Sequence, residues 1–214
     1  MRAFSLEVGS STTTSPKEKP MSFPASSLRA SLLPQSGVLT NSALIAGGTL
    51  FLAALAQIAI PVPGSPVPVT GQTLGVLLIG TTYGSGLGLA TFAMYLLAGI
   101  AGAPVFAGAS YGFEKITGAT GGYLIGMMVA TFLLGILANR QMDQNFSTAL
   151  PTMLLGTLTI FAFGLFWLQQ FTGNDWSWTI NAGLTPFIFG EILKIIIAGT
   201  SLPVAWRLVN KKRD

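Results

Sequence analysis

The sequence predicts an all-α membrane protein of six transmembrane helices, and three observations carry that prediction. Half of the 214 residues are hydrophobic and only 8% are charged, against about 25% charged residues in a soluble domain. Apolar runs recur along the chain, each approaching the roughly 20 residues that cross a bilayer as helix. The basic residues flank those runs: Arg2, Lys17, Lys19 and Arg29 precede the first, and Arg207, Lys211, Lys212 and Arg213 close the chain. That placement follows the positive-inside bias. The formal charge of +4 therefore speaks of membrane orientation and not of nucleic acid, whose binding needs a basic face with base-contacting elements.

Residues 1–38 are polar and rich in Ser, Thr and Pro (SSTTTSPKEKP), the composition of a disordered tail. No apolar h-region precedes Leu28, which argues against a secretory signal peptide. The Ser/Thr content suits an organelle transit peptide, but Glu7 and Glu18 count against one, so a cytoplasmic tail is expected. A six-helix domain is expected over residues 39–208. Its first span, about 41–60, stops at Pro61, and Pro63, Pro66 and Pro68 force an extended connection. The second span, about 69–83, is short. The third, about 85–100, follows after a turn of a few residues, the spacing of an antiparallel helical hairpin.

Residues 101–122 (AGAPVFAGASYGFEKITGATGG) are too polar and glycine-rich for a lipid-facing helix. Irregular backbone beside a membrane bundle is tolerated where it is buried in protein or lines a wet cavity, so this stretch is expected to cover a cavity. The fourth span is about 123–138, followed by a polar loop with Arg140 and Asp143. The fifth, about 150–168, leads to a loop holding Gly173, Asp175, Trp176 and Trp178. The sixth, about 186–206, precedes a basic tail at 209–214. Six spans place both termini on one side, cytoplasmic by the basic-residue rule, with Arg140 on that side. The opposite loops hold only Lys115 against Glu114 and Asp175.

The chain has no cysteine and no histidine. Disulfides, thiolate nucleophiles, the Ser-His-Asp triad and nearly all zinc chemistry are thereby excluded. No GxxxxGK[ST] phosphate loop occurs, so ATP hydrolysis by this chain alone is not expected. No cofactor is expected.

One acid–base pair lies inside a predicted span, Glu191 and Lys194 in PFIFGEILKIIIAG. Spaced i, i+3, they share a helix face. Each charge at mid-bilayer costs roughly 2.5–3.5 kcal/mol on insertion scales, and a pair serving only itself gains nothing over two leucines. A ligand site is one use for it, with an anion near Lys194 and ligand N–H groups on Glu191. A register-fixing ion pair is the other. Gln72 and Gln57 offer amide donors and an acceptor, for a ligand or for helix–helix hydrogen bonds; the second use is favoured for Gln57. Tyr95, Tyr111 and Tyr123 suit either a small ring or interfacial anchoring, whereas Trp176 and Trp178 suit an interfacial belt. Phe106 suits an apolar pocket wall. Small residues four apart (Ala43/Gly47, Gly80/Gly84/Gly88, Gly122/Gly126) permit close helix approach, for internal packing or for docking another membrane protein.

Four runs, in order, resemble one family: LAALAQIAIPVPGSPVPVTGQTLGVLLIG, MYLLAGIAGAPVFAGASYG, TGATGGYLIG and PFIFGEILKIIIAG. Over residues 41 to about 205 the chain is similar to the biotin-specific BioY proteins, the substrate-binding S components of energy-coupling factor (ECF) transporters. The resemblance implies a six-helix S-component bundle in the cell membrane, with loops capping an outward-facing biotin pocket. It implies ligand contacts at Glu191 (often Asp in relatives), Lys194 and Gln72, and pocket residues Phe106, Gly108 and Tyr123. It also implies partners: an ECF transmembrane coupling protein and two ATPase subunits, with a homo-oligomer as a further arrangement. S components commonly pair alanines in a docking motif of the first helix; here Ala53 is followed four positions on by Gln57. An S component for another vitamin is the first alternative. A membrane enzyme using Glu191 as general base is the second, opposed by the lack of another catalytic group in the spans.

Overall fold

The computed structural model describes residues 27–35 and 37–211. The expected tail falls mostly outside these residues, yet residues 28–32 of it form a helical turn, α1 (Leu28–Leu32). Ser27 Oγ accepts the Ala30 N–H at 3.4 Å as its cap, and Leu28 is buried. Capping and the burial of Leu28 and Ser31 override a polar composition there.

The long helices α2 (Val38–Gln57), α3 (Gln72–Ile100), α5 (Gly121–Asn139) and α6 (Phe146–Thr172) are each long and apolar enough to cross a membrane. A fifth such stretch, Trp176–Lys211, comprises α7 (Trp176–Gly183), a short 3-10 turn at Thr185–Phe187 and α8 (Ile188–Lys211). The last helix thus continues into the expected basic tail.

The segment α3 is not one straight rod. Gly84 has φ 79° and ψ 175°, a conformation open to glycine. Gln72 and Tyr95 are hydrogen-bonded across it, although 23 residues of straight helix would separate them by about 34 Å. A Cβ placed on Gly88 would meet Gly80 Cα at 3.5 Å. The chain doubles back at Gly84, where the sequence predicts a turn between its second and third spans.

The proline-rich connection is tied at its base by two short antiparallel strands, β1 (Ala59–Ile60) and β2 (Val69–Thr70), with Ala59 opposite Thr70 and Ile60 opposite Val69. Strand pairing occupies Val69 and Thr70, so the helix begins at Gln72 and not near 69. The glycine-rich stretch 101–122 holds a 3-10 turn at Ala107–Ala109 and one short helix, α4 (Glu114–Thr117).

Close helix approach accounts for most of the small-residue spacing. A Cβ on Gly122 would collide with Trp167 and one on Gly126 with Ile160 of α6, while Gly80 and Gly88 pack on Thr131 of α5. Gly47 faces open space. Leu52, Val76, Phe92, Tyr95, Leu134, Met153, Ile160 and Leu168 fill the interior with no exposure. Outside, α8 sets Phe189, 90% exposed, beside Glu191, 5% exposed; the apolar face is turned outward and the acid inward.

Polar contacts sort the connections into two ends. At one end Asn139 donates to Ser85, Trp206 to Asp143 and Arg29 to Asn41, while Arg207 sits 4.8 Å over the Phe146 ring. At the other end lie the strand pair, the glycine-rich stretch and α7.

Candidate functional site

A cavity opens among the connections of that second end. Its enclosed space is about 120 Å3, and about 730 Å3 when the open mouth is counted. The proline loop contributes Pro66, Val67 and Pro68. The start of α3 contributes Gln72 and Thr73, and the glycine-rich stretch contributes Phe106, Ala107, Ser110 and Lys115. Thr70 of β2, Thr120 just before α5, Tyr123, Leu124 and Met127 of α5, Phe161 of α6, Phe187 and Glu191 complete the wall. The aromatic bed is interlocked: Tyr123, Phe161 and Phe187 have ring centroids 5.7–6.3 Å apart. Tyr123 is held there because its hydroxyl donates to Gly183 O at 2.7 Å.

The polar side is a compact hub where β2, α3 and α8 meet. Lys194 Nζ donates to Thr70 O at 2.6 Å, Thr73 Oγ1 at 2.8 Å and Glu191 Oε1 at 2.7 Å. Thr73 Oγ1 in turn donates to Glu191 Oε1 at 2.8 Å. An ammonium has three hydrogens, and all three are engaged by protein. Lys194 does not line the cavity; it fixes one carboxylate oxygen of Glu191. The other, Oε2, is buried and makes no hydrogen bond among the described residues. The site therefore offers an anionic acceptor, where an anion near Lys194 was one sequence expectation.

Gln72 stands beside it, 5% exposed. Its Nε2 donates to Tyr95 Oη at 2.6 Å and its Oε1 accepts from Thr70 Oγ1 at 3.1 Å. An amide has two donor hydrogens and two acceptor lone pairs, so one of each is left. Tyr95 passes its own proton to Val105 O at 3.1 Å, linking the amide to the glycine-rich stretch.

Of the residues singled out in the sequence, the structure gathers Gln72, Phe106, Tyr123 and Glu191 around one cavity, with Lys194 behind Glu191. Gly108 is not on its wall: it has φ 66° and turns the backbone between Ala107 and Ser110, which are. Tyr111 is 60% exposed and Trp176 50% exposed, and neither lines the cavity. Among the described residues Gln57 bonds no other α-helix; its side chain reaches Phe106 and Ala109 in the glycine-rich stretch. Thr70, Thr73 and Lys115 belong to the site without having been site candidates in the sequence. Two hydroxyls flanking Gln72 in VTGQT were the available signal for the threonines. Lys115 gave none beyond its place in an irregular stretch.

The chain matches the BioY family model over residues 25–211. It is 36% identical over 166 residues to Biotin transporter BioY2 of Lactococcus lactis subsp. cremoris, covering 76% of this chain and 88% of that protein. With Probable biotin transporter BioY of Pyrococcus horikoshii it shares 37% identity over 153 residues, covering 72% and 86%. Its fold is similar to the crystal structure of the S-component for biotin from an ECF-type ABC transporter, with TM-score 0.72 and 26% identity over 79% of this chain and 90% of that one. A family match over most of the chain, relatives covered nearly end to end, and a shared fold lead to one conclusion: this chain belongs to the BioY family.

Proposed function

We propose that this protein is the biotin-capture subunit of an ECF-type uptake transporter, a transporter component and not an enzyme. One observation carries the ligand assignment: a buried carboxylate oxygen on a cavity wall, Glu191 Oε2, without a hydrogen-bond partner among the described residues, beside an amide with one donor and one acceptor to spare. Biotin's cyclic urea has two N–H donors and one carbonyl acceptor. Glu191 Oε2 and the free lone pair of Gln72 take the N–H groups, and the free Gln72 hydrogen takes the carbonyl. The thioether ring and aliphatic chain lie among Phe106, Tyr123, Met127 and Phe161. Lys115 is the cationic member of the wall, and it takes the ligand carboxylate at the mouth.

Six apolar segments cross the bilayer in this proposal, the two halves of α3 counting separately. Arg29, Arg140, Arg207 and Lys211 belong to the end away from the cavity, which supports a cytoplasmic orientation for that end. The cavity then opens outward. ATP-driven release requires partner subunits, an ECF transmembrane coupling protein and two ATPases, since the chain carries no phosphate loop.

Equilibrium binding of labelled biotin to the purified full chain tests the assignment, with excess unlabelled riboflavin or thiamin as competitor. Saturable biotin binding that neither competitor displaces is expected. A folded protein that ignores biotin and takes another vitamin would leave the bundle standing and remove the ligand.

A further inference from the structure

Gln57 is the last residue of α2 and is exposed, yet both donor hydrogens and one acceptor lone pair of its amide are committed. Nε2 donates to Ala53 O of its own helix at 3.0 Å and to Phe106 O at 3.2 Å, and Oε1 accepts the Ala109 N–H at 2.8 Å. Two of the three bonds hold the tip of the glycine-rich stretch. That tip is a unit: Phe106 N donates to Ser110 O at 3.0 Å, closing a tight loop with Gly108 and Ala109 both left-handed, at φ 66° and 54°. Ala109 has a Cβ, and a left-handed residue with a side chain is strained unless its surroundings hold it. The Gln57 acceptor does so directly, on the Ala109 N–H itself.

The flanks of the loop are anchored differently. Val105 O is held by the Tyr95 hydroxyl, whose residue has no exposure, and Gly112 N donates to Gly99 O at 2.8 Å. Between these fixed points, the tip carries Phe106 and Ala107 into the cavity wall. Phe106 lies edge-on to Tyr95 at 5.4 Å and over Gly99, which has no Cβ to lock the ring in place. Withdrawing the tip therefore breaks two hydrogen bonds that water can replace and draws the buried Phe106 ring, 3% exposed, off a glycine.

We infer that Gln57 is a positioning residue that latches the Phe106–Ala109 tip shut over the ligand cavity, and so sets the rates at which ligand enters and leaves. The inference rests on the proposed binding function. The latch acts alike on the empty and the loaded protein, so its loss speeds both rates and moves the equilibrium constant much less. A residue that only shaped the pocket would change dissociation alone.

The test uses the full chain in lipid nanodiscs, with Gln57→Met, which keeps the apolar stem, and Gln57→Glu, which keeps the acceptor and loses the donor. Without ligand, hydrogen exchange of a peptide spanning residues 105–110 is expected to quicken about tenfold in Gln57→Met, the scale of two neutral hydrogen bonds. Stopped-flow biotin association and dissociation are expected to quicken together, with less than about threefold change in Kd and Gln57→Glu intermediate. Unchanged exchange in both variants overturns the latch, as does faster dissociation with unaltered association. Quickened exchange in a protein that binds no biotin keeps the latch and overturns the ligand assignment instead. If Gln57→Met does not fold, Gln57→Glu alone decides between the same outcomes.

Discussion

Replacing Glu191 by glutamine would invert the chemistry of the cavity wall with almost no change in volume. Lys194 and Thr73 both hold Oε1, and the lysine ammonium can face only an acceptor. The glutamine carbonyl must therefore occupy the Oε1 position, and its NH2 must occupy the place of Oε2. A donor then meets the ligand's N–H donor. The loss has two parts: a charge-assisted hydrogen bond of roughly 1.5–3 kcal/mol, and a buried unsatisfied donor of about 1–3 kcal/mol. At 1.4 kcal/mol per factor of ten, together they weaken biotin binding by roughly 100-fold or more. Isothermal titration of the detergent-purified chain measures this, with Glu191→Asp as the companion that keeps a carboxylate and loses far less. A Glu191→Gln protein that binds within about threefold of wild type would refute the reasoning, because it would mean that Oε2 does not face the ligand.

Three further outcomes follow from particular contacts. Lys115→Met is expected to weaken biotin roughly two- to fivefold, the scale of an exposed ion pair, and to leave an uncharged biotin amide unaffected; equal losses for both ligands in a competition assay count against a carboxylate contact. Gly99→Ala places a methyl group in the Phe106 ring; overpacking of this kind costs about 1–3 kcal/mol, so both the melting temperature and biotin affinity should fall, and an unchanged affinity would detach Phe106 from the site. Asp143 lies in the loop between α5 and α6 with no exposure, and burial pushes its carboxyl above the ordinary value of 3.8 while the Trp206 hydrogen bond opposes the shift. The folded chain keeps this proton over a range where the unfolded chain has lost it. Its stabilising contribution is therefore present at low pH and lost as pH rises through the raised value. Thermal unfolding from about pH 4 to about pH 7 should show that decline in wild type and not in Asp143→Asn; parallel curves would contradict it.

The parts of this protein legible in its sequence are those set by local sums. Insertion into lipid depends on apolar content over some twenty consecutive residues, so the long helices could be found by reading along the chain. The turn near Gly84 was legible from the short spans on either side. Glu191 and Lys194 are legible as a pair because i, i+3 spacing makes them neighbours in any helix. Exceptions arose where a short-range tie won over composition. Ser27 caps a helical turn within a polar tail, and strand pairing of Ala59 with Thr70 delays the start of α3 to Gln72.

Only the tertiary structure decided which polar atoms are spent and which are free. Lys194 satisfies Thr70 and Thr73, more than 120 residues away in the chain; that spends the ammonium beside which an anion was expected and leaves Glu191 one open oxygen for the N–H groups expected on it. Gln57, 52 residues from Ala109, ties down the stretch that carries Phe106 into the cavity wall, where a helix-interface role was favoured. Hydrogen bonding is short-ranged and saturable, so the chemistry a residue has left to offer depends on neighbours that packing alone supplies. Hydropathy adds along the chain, and the sequence by itself therefore determined that this protein lives in a membrane.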